Sequence, residues 1–359
     1  MAQLGTGGIE YFVTAVAKEQ SRRGDDVCIW LLDRPRELAS IQLAALQVRE
    51  LEGVGVKVSH LDAGNRSIAR NALRLHQANP RPSPRGVSSE VWHAHCGVAV
   101  PVIVLGARDR PMLWLHNTEF EFPEPLTRLL GTLSTTHIAS SESIRTSWLK
   151  TFGDDLSVIP YGLEPNRVAP ARLHPPNARR FLVVARLERQ KRIDRLLLAA
   201  RELVTQMGTE GNGVHFTVVG DGSQRQQLED MTRELELEPF VDFVGAQADL
   251  TPFFQLSDVF VLSSDFEGTP IALLQSVAAG LPAVITPFPG GVDFIHQFSC
   301  GLIADEFSAS ALARALLRMC RDTSTFAALR EGATNTVAKL SIRHSVVVIE
   351  QLSSVRQVA

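Results

Sequence analysis

The chain has no run of roughly 18 apolar residues, so no segment predicts a membrane-spanning helix. It opens without a basic stretch leading into an apolar one, which excludes a secretory signal and makes the cytoplasm the expected compartment. Cysteine is scarce. Cys28, Cys96, Cys300 and Cys320 lie far apart with no CxxC spacing, and they read as free thiols in a reducing compartment rather than a zinc or disulfide framework. Neither sign of charge dominates: 36 Lys and Arg against 39 Asp and Glu leave a net charge of −3, which argues against nucleic acid as a partner. Acids are absent from 63–89, a stretch that holds Arg66, Arg70, Arg74, Arg81 and Arg85. The start is short as well. Only four residues precede Gly5 in MAQLGTGGIEYF.

What is present is ordinary for a globular protein: 359 residues, 45% hydrophobic and 21% charged, enough for two or three domains each with its own core. Short apolar runs alternate with helical patterns. Strands are expected at 27–32 (VCIWLL), 54–61, 91–95, 112–116, 137–140 and 157–160, with helices such as 9–23 and 98–107 between them. Residues 161–180 hold four prolines and no apolar period, so they predict a linker. A second series follows, with strands at 181–185, 214–220 and 241–245 and helices at 192–207 and 224–235. Two alternating β/α series predict two doubly wound parallel sheets, with ligands at the carboxyl ends of their strands.

The most informative stretch is 260–295, FVLSSDFEGTPIALLQSVAAGLPAVITPFPGGVDFI. A buried strand at 259–262 runs into Glu267-Gly268-Thr269-Pro270, which opens a helix. Gly280 and Pro282 end it. A strand at 283–286 then leads to Pro289-Gly290-Gly291, read as a loop. A carboxylate beside unsatisfied N–H groups at a helix start suits a ligand carrying hydroxyls and negative charge; a plain strand-helix-strand unit is the other reading. Arg186 and Lys191 lie at a strand-to-helix loop, where two cations can neutralise a diphosphate, although Glu188, Arg189, Arg192 and Arg195 crowd the same stretch as a solvated cluster would. Gly220-Asp221-Gly222-Ser223 reads as a turn, with Ser223 as the N-cap of the next helix. His93 and His95 share one strand face, but no carboxylate or cysteine set completes a metal site around them. Arg66, Arg70 and Arg74, spaced by four, form a basic stripe on a helix, suited to an anionic lipid or acceptor or to plain solvation.

The Glu267 segment, the Arg186-Leu187 pair followed by Lys191, and the glycine loop with Glu10 together resemble the retaining glycosyltransferases of family 4, over nearly the whole chain. That resemblance implies a GT-B fold: two Rossmann-like doubly wound domains facing a cleft. It places an acceptor domain at 1–165 with its first strand lacking, a linker at 166–180, a nucleotide-sugar domain at 181–340, and a last helix at 341–359 that packs back on the first domain. It implies sugar transfer from a nucleotide diphosphate sugar, uridine- or guanosine-linked, to a glycan, lipid-linked or small-molecule acceptor. No cofactor or metal is expected, and polysaccharide assembly is the implied setting. Glu267 and His116 would act at the sugar. Gly7, Gly8, Arg186, Lys191, Gly220, Gly268, Thr269, Pro270 and Gln275 would bind the donor, and His95 would support the acceptor side. The family pattern has a second Glu after seven intervening residues; here that position is Gln275, two helical turns beyond Glu267, where an amide replaces a ribose-binding carboxylate. A nucleotide-sugar-binding protein with little turnover and a sugar-nucleotide epimerase of the same fold are the alternatives. Peripheral contact with the inner face of a membrane, through Arg66, Arg70 and Arg74, goes with a lipid-linked acceptor.

Overall fold

A computed structural model describes residues 8–32, 38–61, 68–78, 91–96, 99–106, 111–116, 124–134, 136–153, 156–164, 178–247 and 249–354. They divide into two compact units, 1–162 with 342–359 and 163–341. Gly7, Arg66, Arg81, Arg85 and most of the proline-rich stretch lie outside the described residues.

The first unit runs α1 (Gly8–Arg22), β1 (Cys28–Leu31), α2 (Leu38–Glu52), β2 (Lys57–His60), α3 (Ile68–Ala78), β3 (His93–Ala94), α4 (Ala99–Gly106), β4 (Met112–Leu115), α5 (Glu124–Thr132), β5 (Thr136–Ala139), α6 (Glu142–Phe152) and β6 (Leu156–Val158). All its pairings are parallel. Among the described residues the strands form two separate sheets, β1-β2 and β3-β4-β5-β6. Side chains bridge them: Leu32 and Leu61, just beyond β1 and β2, share a core with Ala94, Leu113 and Leu115. Burying each such leucine contributes about 1.5–3 kcal/mol.

The second unit runs β7 (Arg180–Val184), α7 (Ile193–Met207), β8 (His215–Val219), α8 (Arg225–Glu234), β9 (Val241–Gly245), α9 (Thr251–Leu256), β10 (Val259–Leu262), α10 (Ile271–Ala278), β11 (Ala283–Ile285), α11 (Pro289–Phe298), β12 (Gly301–Ile303), α12 (Ala309–Arg321) and α13 (Thr323–Thr336). Its sheet is continuous and parallel, in the order β12-β11-β10-β7-β8-β9. β10 is buried along its whole length, which is why it reads as an unbroken apolar run rather than an alternating one. Phe181 and Phe216 stack across β7 and β8, with ring centroids 4.8 Å apart. The last helix, α14 (Ile342–Ser354), belongs to the first unit, where Arg23 pairs with Glu350 at 3.0 Å and the Ser345 hydroxyl donates to the Pro160 carbonyl at 2.9 Å.

Three local expectations change. Pro289-Gly290-Gly291 is not a loop but the start of α11, because Pro289 occupies a first-turn position where its missing N–H costs nothing. Pro270 does not lie inside α10; it is the extended residue that caps it. Ser223 does not cap α8, whose cap residue is Gln224; the Ser223 hydroxyl and N–H both go to Glu188 instead.

Candidate functional site

In the second unit the chain builds β7, β8 and β9 outward in one direction, then returns to add β10, β11 and β12 on the other side of β7. The reversal falls between β7 and β10. The loops leaving the carboxyl ends of adjacent strands diverge at such a point and leave a crevice for a ligand. Here those loops carry Arg186 and Lys191 from β7, and Glu267 to Pro270 from β10.

Backbone contacts position the first of these loops. The Ala185 N–H donates to the Val219 carbonyl at 3.0 Å and the Leu187 N–H to the Asp221 carbonyl at 2.9 Å, extending the β7–β8 pairing past the strands. Gly220, at φ +142°, makes this approach possible. A Cβ there would lie 1.8 Å from the Ala185 carbonyl oxygen. The loop ends at Arg192, held at φ +50° as the residue before α7. Its guanidinium reaches Asp194 at 3.0 Å and Asp265 at 3.2 Å.

The second loop is tied to the first. The Ser263 hydroxyl donates to the Lys191 carbonyl at 2.9 Å, the Asp265 N–H to the Gln190 carbonyl at 3.0 Å, and the Gln190 amide to the Phe266 carbonyl at 2.6 Å. Buried Arg195 closes the frame, donating to the Ser263 carbonyl at 2.7 Å and to Asp265 at 2.6 Å. Burial opposes ionisation of Asp265, but Arg195 and Arg192 outweigh it and hold the carboxyl below its usual range.

Glu267 and Lys191 meet within this frame. The ammonium lies 2.6 Å from both carboxylate oxygens, and the Ser264 hydroxyl donates to one of them at 2.6 Å. Glu267 is 9% exposed, so its orientation is fixed by partners rather than by water. Thr286, at the end of β11, donates to the Ser264 carbonyl at 2.6 Å and supports the serine from behind. The two cations expected to share one task are therefore in different states. Lys191 is paired with Glu267, whereas the Arg186 guanidinium is exposed and makes no side-chain hydrogen bond or ion pair with a described residue, acting on Glu188 only through its charge. Gly268, Thr269 and Pro270 are partly exposed and lead into α10. Gln275 lies on α10, partly exposed, and its amide makes no hydrogen bond to a described residue. Glu267 precedes the helix by four residues, so the expected two-turn spacing on a shared helical face does not hold. The serine pair and Thr286 were not singled out from the sequence, although two hydroxyls directly after a wholly apolar strand were a signal.

In the first unit, Gly8 opens α1 and three histidines gather at the carboxyl ends of β3 and β4. The indole N–H of Trp114 donates to His93 Nδ1 at 2.9 Å. His95 Nδ1 lies 3.1 Å from His116 Nε2, and His116 Nδ1 meets the Tyr161 hydroxyl. Burial lowers the His116 pKa to about 3 and raises that of the Tyr161 phenol well above its ordinary value. Burial, then the neighbouring His116 and His93, hold His95 far below the usual histidine range. His95 and His116 are therefore neutral at pH 7. Among the described residues no group of His, Cys, Asp and Glu is placed to hold a metal ion.

The fold is GT-B. The chain aligns over 98% of its length with 98% of Anabaena Alr3699/HepE, solved in complex with UDP and glucose, at a TM-score of 0.77 and 18% identity. It aligns over 99% of its length with 98% of WaaG, a glycosyltransferase involved in lipopolysaccharide biosynthesis, at a TM-score of 0.68 and 16% identity. Residues 167–336, within the second unit, match the glycosyl transferases group 1 family. Among relatives in sequence, the amylovoran biosynthesis glycosyltransferase AmsK of Erwinia amylovora is 33% identical over 177 residues, 46% of this chain and 42% of AmsK. The lipopolysaccharide core biosynthesis glycosyltransferase LpsE of Rhizobium meliloti (strain 1021) is 34% identical over 125 residues, 35% of this chain and 37% of LpsE. The chain thus spans less than half the length of these relatives.

Proposed function

We propose that the protein transfers a sugar from a nucleotide diphosphate sugar to a glycan or lipid-linked acceptor in surface polysaccharide or lipopolysaccharide assembly. The observation that carries this is the Lys191–Glu267 pair at the β7–β10 switch point, inside a group 1 glycosyltransferase domain. Breaking the bond between the anomeric carbon and the phosphate oxygen leaves negative charge on the nucleoside diphosphate and positive charge on the sugar. Arg186, whose guanidinium is exposed, takes the diphosphate together with Lys191, so the protein supplies this charge stabilisation itself. Glu267 lies against the sugar and stabilises its positive charge; it is not a nucleophile in this reading. The acceptor hydroxyl attacks the face the diphosphate leaves, giving retention, and its proton passes to the departing phosphate oxygen. Gln275 binds the ribose, while the backbone of Gly220, Gly268, Thr269 and Pro270 lines the donor.

Thermal shifts with UDP-glucose and GDP-mannose, coupled to release of nucleoside diphosphate, test this reading. A shift with one donor that Arg186→Ala abolishes supports it. Binding without release points to a nucleotide-sugar-binding protein, and no binding in a folded sample rejects the site.

The acceptor side carries a finer proposal, that the first unit touches an anionic membrane surface from the cytoplasm. No helix among the described residues is long and apolar enough to cross a membrane. α3 does expose Arg70 and Leu73, the latter 56% exposed, but the Arg74 guanidinium donates to the Leu61 carbonyl and is less available than the spacing suggested. Sedimentation with anionic but not zwitterionic vesicles, lost in Arg70→Glu, is the expected result.

A further inference from the structure

We propose that a cavity between the starts of α7 and α8 is a second binding site, separate from the donor crevice, and that it takes an acidic sugar, a hexuronate unit of a glycan.

The cavity has a volume of about 530 Å3, within the range of about 300–1,000 Å3 typical of small-molecule sites. Arg189 from the loop after β7, the first residues of α7, the first two turns of α8 and Asp265 from the loop after β10 line it, all within the second unit. Arg186, Lys191, Glu267 and Gln275, the residues assigned to the donor, do not. Binding here needs no nucleotide, so it stands whether or not the protein transfers sugar.

Four charged side chains line the cavity, Arg189, Arg192, Asp194 and Asp265, and three of them are already matched. The Arg192 guanidinium donates to both Asp194 oxygens and to Asp265. Asp265 also accepts from buried Arg195 at 2.6 Å. The Arg189 guanidinium is exposed and makes no hydrogen bond or ion pair with a described residue. With Arg195 included, three cations stand against two acids, so one positive charge is unmatched, and it lies on Arg189. A carboxylate meets a guanidinium through two parallel N–H···O bonds and brings a single negative charge. A phosphate monoester brings about 1.5 to 2 negative charges and would leave an excess beside Asp194 and Asp265.

The rest of the lining is neutral. The side-chain amides of Gln224 and Gln227 make no hydrogen bond to a described residue. Each amide both donates and accepts, as a sugar hydroxyl does. Leu228 and Met231, three residues apart on one face of α8, give an apolar floor for the C–H face of a pyranose ring. A fatty acid would leave both amides unpaired, and a bare anion would leave the floor uncovered.

Arginine-selective 15N NMR on the full chain tests this, with the Arg189 side-chain resonance assigned through Arg189→Lys. Methyl β-D-glucopyranosiduronate should move that resonance saturably. Methyl β-D-glucopyranoside, acetate and inorganic phosphate should each bind about 10-fold or more weakly than the glucuronide. By calorimetry, Arg189→Ala should weaken the glucuronide about 10-fold or more and Gln227→Ala about 3- to 5-fold. Melting temperatures should not move, because neither side chain has a described partner to lose. Arg186→Ala should leave the affinity unchanged. An Arg189 resonance that the glucuronide does not move overturns the site. Acetate or phosphate binding as tightly as the glucuronide overturns the sugar, and methyl glucoside doing so overturns the role of Arg189. Tighter binding of glucose 6-phosphate overturns the carboxylate. Loss of binding in Arg186→Ala but not in Arg189→Ala places the glucuronide in the donor crevice and overturns the second site. A chain that binds no nucleotide fails the glycosyl-transfer reading and leaves every one of these outcomes decisive.

Discussion

The two units finish the carboxyl ends of their parallel strands with opposite materials. The second unit joins adjacent strands into one sheet, ties neighbouring loops together through their backbones, and fills the crevice with paired charge, Lys191 on Glu267 and Arg192 and Arg195 on Asp265. The first unit holds two separate sheets among its described residues and ends β3 and β4 in uncharged rings, with His95 stacked between Trp114 and His116 and Tyr161 tilted against His116. Fixed charge suits a diphosphate that leaves with negative charge, whereas neutral rings suit hydroxyls. The comparison can be measured one half at a time. The four tryptophans, Trp30, Trp92, Trp114 and Trp148, and both tyrosines, Tyr11 and Tyr161, lie in the first unit, so aromatic emission follows that unit while far-ultraviolet dichroism follows both.

The largest effect should come from forcing side chains onto the glycines. Gly220→Ala drives a Cβ into the Ala185 carbonyl and should cost the second unit about 3 kcal/mol or more. Gly153, at φ +74° and ψ −163°, has no heavy atom within 4 Å of the added carbon, so Gly153→Ala in the first unit should cost about 1–3 kcal/mol, all of it backbone strain. Melts followed by dichroism and by tryptophan emission should assign each loss to its own unit. Equal losses would mean that close approach is not what Gly220 provides. Next comes Glu267→Ala, which strands Lys191 with its side chain 14% exposed. It should cost about 3 kcal/mol and reduce donor turnover about 100-fold or more. Glu267→Gln keeps an acceptor for Lys191 and Ser264 and should recover most of the stability but little of the turnover; full turnover in that variant would remove Glu267 from the chemistry.

The same contrast explains what could be read from the sequence. Strands β7 to β11 were legible because each is a short apolar run with turn residues on both sides, and apolar period reports burial directly. The loops that carry Arg186, Lys191 and Glu267 were legible as strand ends, whereas the roles of these residues and of Gln275 came from a resemblance, and the helical spacing from Glu267 to Gln275 did not hold. What spacing cannot show is which charges partner each other, so the expectation that Arg186 and Lys191 act alike missed the Lys191–Glu267 pair. Pro289-Gly290-Gly291 misled because proline and two glycines signal a turn locally, although proline is also a good first-turn residue and the Phe288 ring packs close against Gly291. In the first unit the chain from Tyr161 through His116 to His95 joins residues from three separate segments, and no local pattern announces it.

Acid should separate the halves further. The folded His116 pKa, about 3, lies below the unfolded value near 6.5, so the unfolded chain takes up the proton first. This contribution is fully present above about pH 6.5 and is lost as pH falls toward 3, at up to about 1.4 kcal/mol per pH unit. Between pH 8 and pH 5 it amounts to about 2 kcal/mol, and His95 adds to it in the same direction. In the second unit Asp265 sits below its ordinary carboxylate value, so its contribution is lost only as pH falls below about 4. Tryptophan emission should therefore show a melting temperature that drops between pH 7 and pH 5, ahead of the dichroism change. Coincident changes would mean that the histidine rings are solvated and that the first unit has no neutral site.

The smallest effect tests the least charged position in the charged half. Gln275 offers a ribose hydroxyl an amide oxygen, and a carboxylate there would make the same bond charge-assisted, a gain of about 1 kcal/mol or fivefold in affinity. Gln275→Glu should tighten binding of whichever donor shifts the wild type, by calorimetry, without moving the melting temperature, because the side chain is partly exposed and has no described partner to lose. Unchanged affinity would place the ribose elsewhere than α10.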